Sequence, residues 1–167
     1  MQTSLDLTSN RVSRSRAKVP RVPLKETEAQ RAARYAAKDV TDKLGIKPGD
    51  AVLIAGASDR DLVAKARAKS GRAAARAGEL ADVVLYWPSS ASEITAQLRA
   101  LRKRMTEAGG IWVISAKRDR ERKDRPYLAN DVIALGLAAG LVDNKICSIS
   151  EDDTAMRFVV RRSDRRS

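Results

Sequence analysis

The sequence predicts an α/β fold: a small, truncated, doubly wound and mostly parallel sheet with an antiparallel hairpin at its C-terminal end. Three observations predict it. Short continuous apolar runs at 51–57, 83–87 and 111–116 have the character of strands buried on both faces. Helical patterns separate those runs, so each link reads as a right-handed crossover between parallel strands. Two further runs, 145–149 and 155–161, flank the acidic turn Glu151, Asp152, Asp153, Thr154, as a closing hairpin requires.

The elements follow in order. Residues 1–25 lack any period and contain Pro20 and Pro23, so they read as a basic, disordered tail. The domain is expected over 26–162, with 163–167 as a basic C-terminal tail. Ala33, Ala36, Ala37, Val40 and Leu44 recur at helical spacing and predict one helix ending before Gly45. After the first strand, Ser58 and Asp61 read as a capping box opening a helix through about residue 69. An Ala-rich stretch at 72–77 has the composition of a weak second strand. Ser90 and Glu93 cap a helix whose core face is Ile94, Leu98, Leu101 and Met105, with Arg99, Arg102, Lys103 and Arg104 outside. Gly109 and Gly110 are expected to stop it. Leu128, Val132, Leu135 and Ala139 mark a last helix, ended by Gly140 with Leu141 beyond its cap.

The chain has 167 residues, 33 Lys and Arg against 21 Asp and Glu, and a net charge of +12. That excess lies wholly in 1–25, 117–125 and 157–167, and the remainder of the chain is neutral. Two tails and one loop thus carry the basic character, a pattern that suits a polyanionic partner. An Arg-rich, Ala-rich composition accounts for the same charge without any partner, and the two readings weigh evenly.

No apolar window is long enough to span a bilayer, and the N-terminus lacks the apolar stretch of a secretory signal. The single Cys147 cannot form an internal disulfide, so the expected setting is cytoplasmic. With no His and one Cys, a zinc site and His-dependent nucleophile systems are excluded. No catalytic residue and no metal ligand is assigned.

The helix, Gly-Gly turn and strand in "TEAGGIWVISA", with the helix and strand in "LAAGLVDNKICSI", make the predicted sheet methyltransferase-like. The motifs "KLGIKPGDAVLIAGA", "ADVVLYWPSS", "LGLAAGLVDNKICSI" and "MRFVVRR" together resemble a small bacterial family described as domain of unknown function 3052. The resemblance runs from about Lys43 to Arg162 and implies a Rossmann-like fold. It implies no reaction. The long basic N-terminal tail and the charged loop at 117–125 depart from that family's pattern.

A cofactor site, if present, would lie at the first turn, "AGASDRD", where Gly56 stands alone and Ser58 follows. The acid expected about 20 residues on, to hold a ribose, has only Glu79 as its candidate. Trp87 and Pro88, at a strand's carboxyl end, are candidates to stack on an adenine, although such a Trp more often plugs the sheet. Asp59 and Asp61 sit where a pyrophosphate needs positive potential, so a dinucleotide is disfavoured. S-adenosylmethionine, with a sulfonium and an ammonium, is not repelled by them. The 24 residues between Ala57 and Asp82 are too few for a complete adenosine wall, since one βαβ unit takes roughly 30.

The expectation is therefore a non-catalytic Rossmann-like binding module with no cofactor. Its expected partner is nucleic acid, a ribonucleoprotein or an acidic protein. Contacts are expected from Arg14, Arg16, Lys18, Lys117, Arg118, Arg120, Arg122, Lys123, Arg125, Arg161 and Arg162. The alternative is an S-adenosylmethionine-dependent methyltransferase, or a binder of that cofactor, with a reduced site at Gly56, Ser58, Glu79, Trp87 and Pro88.

Overall fold

The computed structural model describes residues 25–73, 75–117, 127 and 129–166. One sheet has the order β1-β2-β3-β5-β4. Its strands are β1 (Val52–Gly56), β2 (Ala81–Trp87), β3 (Met105–Ala116), β4 (Leu141–Ser148) and β5 (Asp153–Val160). β1, β2 and β3 pair in parallel, whereas β5 runs antiparallel to both of its neighbours, β3 and β4. Only β5 is reversed, so the sheet is mostly parallel and closes in a hairpin, as the sequence predicts.

Among the described residues five α-helices accompany it: α1 (Glu28–Ala36), α2 (Val40–Lys43), α3 (Arg60–Ser70), α4 (Ala91–Arg102) and α5 (Ala129–Ala138). Alternation along the strands divides the core in two. On one face Val84, Tyr86, Ile111, Val113 and Phe158 bury Ile94, Leu98 and Leu101 of α4 and Val132 of α5. On the other, Val83, Leu85, Trp87, Trp112 and Ile114 bury Leu62, Val63 and Ala66 of α3, together with Leu44 and Ile46. Trp112 ties the segment ahead of β1 to this second face, its indole Nε1 donating to the Leu44 carbonyl at 3.0 Å.

Several boundaries differ from the sequence expectation, each for a local reason. The single helix expected before Gly45 is two, because Asp39 accepts from the Thr41 N–H at 2.9 Å and starts α2 afresh. Asp59, not Ser58, caps α3, accepting from the Asp61 N–H at 2.9 Å. No strand forms among the described residues of 72–77. There Arg72 is drawn onto Glu79, Nη1 to Oε1 at 2.8 Å, and the chain turns back into β2. β1 is consequently an edge strand.

Gly109 and Gly110 do not stop a helix. α4 ends at Arg102, and Met105 opens β3, so both glycines lie inside the strand. At Gly110 the Arg157 guanidinium of β5 lies over the strand, in the space a side chain would take. Leu141 begins β4 rather than trailing a cap. Residues expected as a C-terminal tail fold back instead. Arg162–Asp164 form one 3-10 turn, Arg165 Nε donates to the Val160 carbonyl at 3.3 Å, and the Arg166 N–H donates to Glu107 at 3.3 Å. The expected tail at 1–25 lies, but for Lys25, outside the described residues. No helix among the described residues is long and apolar enough to cross a membrane.

Gly136 occupies the middle of α5 because the fully buried Phe158 ring fills the space where its Cβ would stand. Helix propensity favours Ala there by about 1 kcal/mol, whereas overpacking a tight core costs about 1–3 kcal/mol. Gly136→Ala should therefore lower the Tm in scanning calorimetry, and the same change in a Phe158→Leu background should raise it. A raised Tm in both backgrounds would show that the ring does not hold this position.

Candidate functional site

Open sheets of this kind bind ligands beyond the carboxyl ends of their strands. At that edge the end of β2, the first turns of α2 and α3 and the β4–β5 turn enclose a cleft of about 230 Å³. Asp59, Asp61 and Asp153 line it, with Lys65 as its cation and Trp87 and Leu62 as apolar walls. Asp59 is positioned by its capping bonds, and Asp61 faces Lys65 at 3.3 Å one helical turn on. Asp153 is set by Ser150, whose Oγ accepts from the N–H of Asp153 at 3.0 Å and of Asp152 at 3.3 Å. Among the described residues that line this small concavity there are thus three carboxylates and one lysine.

Gly56, Ser58, Trp87 and Pro88 come together at this edge. Gly56 has φ +85, a conformation that favours glycine, and a side chain there would strike the Trp87 carbonyl of the paired strand. Close strand packing explains this glycine without a ligand. Ser58 is half-buried beside the capping Asp59. Trp87 is 2% exposed and packed into the core, so it plugs the sheet and offers no stacking face. The Pro88 carbonyl accepts from the Tyr127 hydroxyl at 3.1 Å.

Glu79 does not join them. It precedes β2, at the amino ends of the strands, held by Arg72 and by the Arg76 N–H at 3.0 Å. Those hydrogen bonds bring its carboxyl down to about 2. It cannot hold a ribose at the opposite edge.

Among the cations expected to meet nucleic acid, Lys117 follows β3 at the carboxyl edge, its N–H donating to the Asp152 carbonyl at 2.9 Å. Arg161 and Arg162 are exposed but follow the reversed strand β5, so they lie at the amino edge. Arg14, Arg16, Lys18, Arg118, Arg120, Arg122, Lys123 and Arg125 lie outside the described residues. Sequence reasoning missed Asp153 as a cleft residue and Arg157 as a half-buried cation. Each had a signal: an acid at a hairpin turn facing the first strands, and a lone Arg inside the apolar run "MRFVV".

Because Glu79 has a depressed pKa in the folded chain, its pairing stabilises the fold above the unfolded carboxylate value of 4.5. That contribution is lost as pH falls toward about 2. Arg72→Ala should return the Glu79 carboxyl toward 4.5 in an NMR titration. The Tm gap between wild type and variant should also close on acidification. An unmoved titration would show that Arg72 does not hold it.

No protein-family model matches this chain, and no curated protein matches it. Solved structures do. The O-methyltransferase NcsB1 of neocarzinostatin biosynthesis, solved with S-adenosyl-L-homocysteine and 1,4-dihydroxy-2-naphthoic acid, matches at TM-score 0.56 and 13% identity. That match covers 78% of this chain and 53% of NcsB1. The pyocyanin biosynthetic protein PhzM matches at TM-score 0.58 and 13% identity, over 80% of this chain and 56% of its own. A SAM-dependent methyltransferase from Aquifex aeolicus matches at TM-score 0.50 and 14% identity, over 73% of this chain and 88% of its own. The chain spans about half the length of the first two. The fold is thus the Rossmann-like fold of these methyltransferases.

Proposed function

We propose that this chain binds S-adenosylmethionine in a reduced cleft between the carboxyl end of β2, the first turn of α3 and the β4–β5 turn. The observation that carries the reading is the placement of Asp59, Asp61 and Asp153 around one cleft at that edge of a methyltransferase fold. The cofactor's sulfonium and ammonium give it a net positive charge, which carboxylates attract and a pyrophosphate site would not. One neighbour was solved with S-adenosyl-L-homocysteine, which supports the same assignment. The expectation of no cofactor gains no support from these neighbours.

The cleft, at about 230 Å³, is smaller than the roughly 300–1,000 Å³ usual for ligand pockets. It therefore takes the cationic methionine end and leaves the adenosine partly outside, where α3 leads straight into β2 with no intervening described strand. The affinity that follows is weak, since the smaller part of the cofactor is enclosed. A nucleic-acid or acidic-protein partner rests on the basic segments. The described members of that set, Lys117 against Arg161 and Arg162, stand at opposite edges of the sheet.

Titration calorimetry with S-adenosylmethionine and with S-adenosylhomocysteine, which lacks the sulfonium charge, tests the reading. Asp61→Asn combined with Asp153→Asn leaves the Asp59 cap in place. It should weaken the charged cofactor by about threefold to tenfold, in line with the loss of partly exposed ion pairing, and weaken S-adenosylhomocysteine, which keeps only the ammonium, by less. Absence of binding at millimolar cofactor, or an equal loss for both, would refute the proposal.

A further inference from the structure

On the face of the sheet that carries Trp112, toward the amino ends of the strands, lies a second cleft of about 350 Å³. Cross-strand register builds it. Lys145 of β4 pairs with Arg157 of β5, and Arg157 pairs with Trp112 of β3, so the two cations share a row and a face. The Lys43–Lys47 segment, tied down through Leu44 to Trp112, forms the opposite wall. Gly110 leaves the gap in which the Arg157 guanidinium lies flat over β3.

The charges in this cleft are not balanced. Lys43, Lys47, Lys145 and Arg157 line it against two carboxylates, Asp50 and Asp82. Both carboxylates already hold backbone. Asp50 accepts from the Lys47 N–H at 2.9 Å, and Asp82 accepts from the Ala51 N–H at 2.9 Å. Lys145 Nζ donates to the Lys43 carbonyl at 3.2 Å, and Lys43 stands over the Tyr35 ring. Arg157 is half-buried, yet among the described residues no carboxylate lies within salt-bridge distance of it and no hydrogen bond satisfies it. Burial, and after it the like charge of Arg165, push the guanidinium pKa down.

A half-buried guanidinium with no carboxylate beside it favours an anion that completes it. The five N–H donors of Arg present a planar fork that matches a tetrahedral oxyanion, with flanking lysines as point charges. We propose that this cleft binds a phosphate group, with Arg157 as its principal ligand and Lys47 and Lys145 beside it. The site lies at the amino edge, apart from the acidic cleft at the carboxyl edge, and does not depend on the reading of that cleft. Gly110 lies under the guanidinium, where a side chain would require Arg157 to shift.

The test uses the full chain at constant ionic strength, with chloride as the control anion. Inorganic phosphate, pyrophosphate and a nucleoside monophosphate should each raise the Tm saturably. In ¹⁵N NMR spectra they should shift the amides of Gly110, Lys145 and Arg157. Arg157→Met keeps the apolar stem, and in it phosphate affinity should fall by about tenfold or more, the scale of a lost charge-assisted pair. Without any anion, Arg157→Met should be as stable as wild type or more so, because the uncompensated charge is gone. Lys145→Gln should weaken phosphate by less than Arg157→Met does. A nucleoside monophosphate that binds far more tightly than phosphate, through the same amides, would identify the source of the phosphate as a nucleotide. No saturable response to any of the three anions would overturn the proposal. So would phosphate binding left intact in Arg157→Met, or a variant markedly less stable than wild type without anion.

Discussion

β5 runs against the other four strands and sits between β3 and β4, and most of what is distinctive in the molecule follows from that insertion. A strand bonded on both sides within a sheet covered on both faces must read as apolar, and "DTAMRFVV" nearly does. Its alternation sends Phe158 into one core, where the ring excludes any side chain from Gly136 of α5. The neighbouring Arg157 points to the other face, where its guanidinium lies in the space a side chain at Gly110 of β3 would take. Two glycines in distant parts of the chain thus answer to adjacent residues of one strand. Reversal also carries the Asp153 end of β5 to the carboxyl edge and the Val160 end, with the arginines after it, to the amino edge.

The two edges of the sheet consequently differ in charge. At the carboxyl edge, near β1 and β2, Asp59, Asp61 and Asp153 gather around Trp87. At the amino edge, Arg157, Lys145 and Lys47 gather near Trp112, with their acids engaged by backbone. The chain's net charge of +12 is thus an average over local fields of both signs. In each cleft a tryptophan belongs to the wall as a buried core residue, and the polar groups around it set the ligand chemistry.

The fold was legible because buried strands and amphipathic helices announce themselves locally: 83–87 is a continuous apolar run, 111–116 is apolar but for Ser115, and Ile94, Leu98 and Leu101 repeat at helical spacing. Caps were less legible, since Asp59 rather than Ser58 caps α3 and Ser90 makes no side-chain capping bond. Boundaries were less so where glycine carried two meanings. Gly109 and Gly110 read as a helix stop until Arg157, 47 residues later than Gly110 in the chain, is seen lying across the strand. The site was legible in part. Gly56, Trp87 and the acids Asp59 and Asp61 were placed at the right edge because they follow directly from strand ends. Glu79 was misplaced because spacing alone cannot say that the chain turns back on an Arg72 pair before β2. Asp153 and Arg157 escaped notice because their neighbours in space come from other strands, and pairing order is a tertiary fact.

The central claim is that one sheet carries two clefts of opposite charge, each with its own ligand. A ¹⁵N NMR titration of the full chain, with S-adenosylmethionine and inorganic phosphate added separately and then together, tests it most directly. The account predicts two disjoint sets of shifted amides. Asp61, Leu62, Trp87 and Asp153 should respond to the cofactor, Gly110, Lys145 and Arg157 to phosphate, and both sets should persist with both ligands present. A common set of shifts, competition between the two ligands, or a spectrum unmoved by either would contradict it.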